Sequence, residues 1–176
     1  MKTNYVEVVP YNPIWKIEFE KIKAEIKNAL GNLALSIEHI GSTSVEGISA
    51  KPIIDIDVII KDNSVLDDAI EKLSDIGYIN EGNLGIEDRE AFRCENKSHL
   101  MLHHLYVCPK NSKELKRHIA FRDYLRNHPD AAKEYSDIKE QGAKLYTYDI
   151  DRYIEHKSGF IEKIYNKIKM RSYEQM

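Results

Sequence analysis

Two aspartates stand in an otherwise aliphatic run, Asp55 and Asp57 in IIDIDVII at residues 53–60. On a strand, residues two apart share a face with Cα atoms roughly 6–7 Å apart, so both carboxylates can meet one cation. The surrounding Ile and Val residues read as a central, buried strand. Carboxylates there are costly unless they reach an exposed end, pair with Lys or Arg, or hold a metal ion. Upstream, Gly41 leaves the apolar run 35–40 through a residue that tolerates positive φ and lets a ligand approach the backbone. Ser42, Thr43 and Ser44 add hydroxyls and free backbone N–H groups where a turn begins, a common way to receive phosphate. The paired acids repel each other when no cation is present, so Asp57→Asn is expected to leave the melting temperature unchanged or to raise it.

Basic and imidazole groups extend this candidate site. Lys51 precedes the aspartate strand, Arg122 and Arg126 share a helical face, and Lys157 follows Tyr153 by four. Each suits a surface ion pair, but together they suggest a polyanion lying across the Ser42–Asp55 region with the helical half as its other wall. Arg89 and Arg93, beside Phe92, fit a phosphate contact or ordinary pairing with nearby acids. Five of the seven histidines fall between His99 and His128. On a strand His99 and His103 are about 13 Å apart and His103 and His104 face opposite ways; on a helix His99 and His103 would make a zinc pair. Asn96-Lys97-Ser98 and Pro109 frame a strand-length segment, which favours the first geometry. His104 is then either a hydrogen-bonded core residue or a site residue. Cys94 and Cys108 have no spacing that suggests metal or redox work, and burial accounts for both.

The elements that must position these groups follow from periodicity. Asn12-Pro13 reads as a helix start, and Trp15, Phe19, Ile22, Ile26 and Leu30 form an apolar stripe that Gly31 ends. Trp15 suits core packing or a stacking platform. Strands are expected over 35–40, 53–60, 78–81, 90–95 and 99–108, with the first two adjacent. A helix capped at 62–64 turns Val65, Leu66, Ala69, Ile70 and Leu73 inward and stops at Gly77. Residues 82–90 are turn-rich. From Ser112 on, three helices are expected: one carrying Leu115, Ile119 and Leu125; one opened by Pro129 and carrying Ala132, Tyr135, Ile138 and Ala143; and one starting near Tyr148-Asp149 with the stripe Ile150, Tyr153, Ile154, Ile161, Ile164 and Ile168. The final residues are polar enough to fray.

Composition bounds the function. The 176 residues suit a single α+β domain, with a sheet core at about 8–110 and a helical part at about 111–170. With 42% hydrophobic and 31% charged residues and no long apolar run, membrane embedding is excluded. The net charge of −3 supplies no overall field for nucleic acid. The N-terminal stretch lacks the regions of a secretion signal, and two cysteines make no disulfide framework, so the cytoplasm is the expected compartment.

A hydrophobic residue, Gly-Ser, about a dozen residues and then Asp-hydrophobic-Asp resembles the signature of the nucleotidyltransferase superfamily, the fold of polymerase-beta-like enzymes. HIGSTS at 39–44 with KPIID at 51–55, HHLYV at 103–107, FRDYLRNHP at 121–129 and Tyr153 with Lys157 resembles one branch of it, the GrpB (UPF0157-like) family. The likeness runs from about residue 8 to 168. It implies a mixed sheet flanked by helices with a helical C-terminal part. It also implies a metal-dependent nucleotidyltransferase of a small acceptor, using Mg²⁺ or Mn²⁺ and a nucleoside triphosphate. In that role Asp55 and Asp57 would hold metal and act with His104 in catalysis, while Gly41, Ser42, Thr43, Ser44, Lys51, Arg122, Arg126 and Lys157 would bind nucleotide phosphate. The superfamily's third carboxylate has no counterpart on the expected strand, where His104 and Tyr106 share one face. An imidazole can bind metal or move a proton but brings no negative charge. The alternative implied is a non-catalytic nucleotide- or phosphate-binding accessory module, since similar domains occur fused to dephospho-CoA kinase.

Overall fold

The strand that carries the aspartates is divided cleanly between its two faces. In β2 (Ile54–Ile60) the side chains of Ile54, Ile56, Val58 and Ile60 are wholly buried, while Asp55 and Asp57 point to the other side of the sheet. The structure, a computed structural model, describes residues 5–174. Around β2 the described elements are α1 (Ile14–Leu30), β1 (Ser36–Ile40), α2 (Leu66–Asp75), β3 (Tyr78–Gly82), β4 (Glu90–Cys94), β5 (His103–Pro109), α3 (Lys113–Asn127), α4 (Pro129–Leu145) and α5 (Ile150–Glu174). The five strands form one mixed sheet in the order β1-β2-β5-β4-β3. β2 runs parallel to β5 and antiparallel to β1, and the remaining pairs are antiparallel.

The aliphatic face of β2 packs against α1 and α2. Trp15, Phe19, Ile22, Ile26 and Leu30 of α1 and Ala69 and Leu73 of α2 join it in one buried cluster, which places Trp15 in the core. Burial of Val, Leu, Ile or Phe side chains stabilises by about 1.5–3 kcal/mol each, so this stripe is the main reason α1 is helical and docked. The Asn12 side chain accepts a hydrogen bond from Ile14 N–H at 3.0 Å, and Gly31 closes the helix at φ 55°. Asp62 accepts from Ser64 N–H and opens the short helical turn that leads into α2.

A second cluster fills the helical half. Tyr124, Leu125, Ala132, Tyr135, Phe160 and Ile164 pack with Val45 and Ile48, which come from the loop between β1 and β2. That loop therefore belongs to both halves. In α5 the buried line runs through Tyr153, Phe160 and Ile164, at intervals of seven and four, while Ile154 is exposed. The expected stripe was misplaced there because Ile154 lies about 100° around the helix from Tyr153. The strand expected from residue 99 begins only at His103, and His99 sits in the preceding turn with Nε2 2.5 Å from Glu25. The helical pattern persists to Glu174, and the last two residues, to which the expected fraying also referred, lie outside the described residues. No helix among the described residues is long and apolar enough to cross a membrane.

Candidate functional site

The loop after β1 is built around Gly41. Its φ of 72° is a conformation that side chains of L-residues rarely adopt, and a Cβ there would lie 2.5 Å from Asp55 Oδ2. The first carboxylate therefore rests directly on the Gly41 backbone. The short helical turn Ser42–Ser44 follows, closed by the Ser44 hydroxyl donating to Gly41 O. Thr43 Oγ1 lies 2.8 Å from His39 Nε2, and the His39 ring stacks on Phe19 at 4.6 Å. Burial lowers the His39 pKa to about 4, so the imidazole in this brace is neutral. Thr43 and Ser44 thus hold the loop itself, and Ser42 is the hydroxyl left to the cavity, beside Tyr135. Downstream, Ser49 N–H donates to Ser136 Oγ at 2.7 Å and Ala50 pairs with Val9, fixing the far end of the loop to α4 and the N-terminal segment.

The two aspartates differ in surroundings. Asp55 is partly exposed and its Oδ1 lies 2.9 Å from His104 Nδ1, its partner in the β2–β5 register. The hydrogen bond to Asp55 raises the His104 pKa against the opposing effect of burial. Asp57 is fully buried. Its Oδ2 lies 2.7 Å from His118 Nδ1, and His118 Nε2 lies 3.0 Å from Glu114 Oε1. Burial raises the Asp57 pKa, opposed by the His118 hydrogen bond. Burial works against charge on His118 too, but Asp57 and Glu114 on its two nitrogens outweigh it and raise the pKa. Among the described residues Asp57 Oδ1 is buried without a hydrogen-bond partner. Such an atom is unusual and needs a cause. Tyr106, next to Asp57 in register, has its phenol pushed up to about 12 by burial.

A cavity of about 110 Å³ lies beside Asp55, lined by Ser42, Lys51, His104, Lys139, Tyr153 and Lys157 among others. Lys51 Nζ and Lys157 Nζ lie over the Tyr153 ring at 5.0 and 4.7 Å. Burial, and then the charge of Lys51, bring the Lys157 pKa down to about 8, and burial lowers that of Lys51. Lys139 is only 2% exposed.

The GrpB protein family profile matches residues 5–167. The chain belongs to the GrpB family. A crystal structure of the conserved protein GrpB from Enterococcus faecalis is similar at TM-score 0.83 and 35% identity, covering 95% of this chain and 99% of that one. The UPF0157 protein YqkA of Bacillus subtilis is 34% identical over 157 residues, which are 89% of this chain and 45% of YqkA. The chain thus spans less than half of that relative's length. It likewise matches 46% of a dephospho-CoA kinase of Mycolicibacterium paratuberculosis, at 24% identity over 92% of this chain. The Cid1 poly(U) polymerase in a MgGTP-bound crystal structure shares the fold at TM-score 0.56 and 10% identity, over 78% of this chain and 44% of that one. The α+β fold is therefore that of the nucleotidyltransferases.

In this GrpB chain Gly41, Ser42, Thr43, Lys51, Asp55, His104 and Lys157 come together as the sequence suggested. Arg122 and Arg126 do not reach the cavity. Arg122 Nη1 lies 2.7 Å from Glu38 Oε2 and 3.1 Å from His39 O, while Arg126 donates to Ser44 O at 2.8 and 3.1 Å. Their shared helical face is real, but it braces β1 and the loop, where Glu38 and the carbonyls of His39 and Ser44 hold the two guanidinium groups. Ser44 likewise turns inward and away from a phosphate role. Among the described residues no three His, Cys, Asp or Glu side chains converge as a metal cage. His104 on Asp55 and His118 on Asp57 each take one carboxylate oxygen, which leaves Asp55 Oδ2 and Asp57 Oδ1. Arg89 lies over the Tyr106 ring at 4.6 Å and Arg93 pairs with Glu95, so neither touches the cavity. Cys94 and Cys108 are free thiols, half-buried and buried.

His118, Glu114 and Lys139 went unnoticed in the sequence. The four-residue step from Glu114 to His118 was a visible signal of a helical pair. Lys139 could have been found because it falls on the buried stripe of α4 with Ala132, Tyr135, Ser136 and Gly142.

Proposed function

We propose that this GrpB protein binds a nucleoside triphosphate, or another phosphorylated small molecule, together with one divalent cation and transfers the nucleotidyl group to a small acceptor in the cytoplasm. The observation that carries the proposal is the unpartnered, buried Asp57 Oδ1 beside Asp55, across from the Gly41–Ser42 turn of a nucleotidyltransferase fold. Two free carboxylate oxygens suit a hard cation that keeps water and phosphate oxygens as its other ligands. Asp55 and Asp57 would hold Mg²⁺ or Mn²⁺, which supplies charge neutralisation at the phosphates. Gly41 lets the Asp55 carboxylate rest on its backbone, Ser42 offers a hydroxyl to the cavity, and Lys51 and Lys157 would neutralise phosphate charge there. We take His104, opposite Asp55 in the β2–β5 register, as the counterpart of the superfamily's third carboxylate. With Nδ1–H donating to Asp55 Oδ1, its exposed Nε2 is set as the acceptor of a proton from an incoming hydroxyl.

A second reading is a binding module without transfer. It is favoured by the imidazole in the third acid's place and by the match to less than half of YqkA and of the dephospho-CoA kinase. One sample decides between them: a screen of metal and nucleotide binding, followed on the same protein by an assay of pyrophosphate release with candidate acceptors. Turnover that disappears in His104→Ala supports transfer. Turnover that appears only in His104→Asp supports the module.

A further inference from the structure

We propose that Lys139, with Lys51 and Lys157, forms a subsite for a single tetrahedral oxyanion, and that in the nucleotide-binding reading above this oxyanion is the ligand's terminal phosphate. Lys139 lies on α4 at a position where the helix is otherwise buried among Ala132, Tyr135, Ser136 and Gly142. Its Nζ is buried and has no hydrogen-bond partner among the described residues. An ammonium group without an acceptor is among the least favourable things to bury, and an apolar side chain would fill the same space at lower free energy.

The surroundings show what would compensate. Lys51, Lys139 and Lys157 line one cavity, and none of the three forms an ion pair within 4.0 Å among the described residues. Of the nearby acids, Glu140 accepts from the Ser49 hydroxyl, and Asp55, which lines the same cavity, gives one carboxylate oxygen to His104. Aromatic faces take the place of counter-ions, with Tyr135 under Lys139 at 4.6 Å and Tyr153 under the other two. A ring face attracts a cation but does not neutralise it, and the three lysines share the cavity with one carboxylate, Asp55. Burial, and then the charge of Lys157, hold the Lys139 pKa well below the usual lysine value. A bound anion would reverse that effect.

Size narrows the ligand. The cavity is small, about 110 Å³, and suits a compact anion such as one phosphate group. Ser42, which lines the same cavity, adds a hydroxyl that can donate to the anion. Inorganic phosphate, pyrophosphate and a nucleoside triphosphate, titrated calorimetrically without metal into wild type, Lys139→Met and Lys157→Met, test the proposal. We expect phosphate to bind wild type and to be weakened at least tenfold in each variant. Ligand-free Lys139→Met should melt at or above the wild-type temperature, because a buried amine without a hydrogen-bond partner is replaced by an apolar chain of similar length. Competition by the triphosphate identifies a terminal phosphate, and phosphate binding without competition identifies a free oxyanion. Equal phosphate affinity in wild type and both variants, or no binding of any of the probes to wild type, overturns the subsite. A lower melting temperature for ligand-free Lys139→Met overturns the unpartnered state of Lys139. Phosphate binding that persists where nucleotidyl transfer is absent refutes transfer alone, and Asp55-dependent turnover with Lys139-independent phosphate affinity refutes the subsite alone.

Discussion

Gly41 serves the site through its backbone in two ways at once. A methyl group there would meet Asp55 Oδ2 at 2.5 Å, and φ 72° is strained for any other L-residue. Gly41→Ala should therefore lower stability by about 1–3 kcal/mol and weaken nucleotide binding more than Thr43→Val, whose hydroxyl only braces His39. Urea unfolding and ligand titration of both variants check this, and an unchanged Gly41→Ala would contradict the contact. His39 behind the loop gives a pH signature. Its folded pKa is about 4 and its unfolded value 6.5, so the unfolded chain binds more protons between them and stability falls as pH drops through that window. The contribution is on the order of 3 kcal/mol. His39→Gln, which keeps a partner for Thr43, should lose less stability than wild type between pH 6.5 and 4. Parallel denaturation slopes in the two proteins would contradict a buried neutral imidazole.

At the scale of elements, α3 is the clamp. His118 grips Asp57 on β2, Arg122 grips Glu38 and His39 O on β1, and Arg126 grips Ser44 O in the loop, all from one helix. Only Leu115, Arg122, Tyr124 and Leu125 of α3 are buried, so polar contacts carry much of its docking. This changes the expectation for Asp57→Asn. Repulsion between two bare carboxylates favours a neutral amide, but His104 and His118 each hold one carboxylate, so the dominant partner of Asp57 is an imidazole lying between it and Glu114. Removing the counter-charge from that partner should lower stability by about 2 kcal/mol. A melting temperature equal to or above wild type would restore the simpler picture of repulsion.

For the whole molecule, what could be read in the sequence depended on how far its information had to travel along the chain. α1, α2 and the strands were visible because periodicity and turn residues are local, and Asp55 with Asp57 because two residues on one strand share a face. His104 beside Asp55 required only that β2 and β5 be neighbours, which the parallel pairing provides. The direction taken by Arg122 and Arg126 was not visible, because a shared helical face says nothing about which carbonyl lies opposite. His118 and Lys139 reach the aspartate face from helices 61 and more residues away, a distance that no local pattern bridges. The central claim is that Asp55 and Asp57, through the oxygens their histidines leave free, hold one cation with a phosphorylated ligand. Calorimetric titration of Mn²⁺, alone and with a nucleoside triphosphate, into wild type and Asp55→Asn tests it most directly. We predict one cation per chain in wild type, tightened by nucleotide, and at least a tenfold loss in a folded Asp55→Asn protein, equivalent to about 1.4 kcal/mol or more. Equal affinity in the two proteins would contradict the claim.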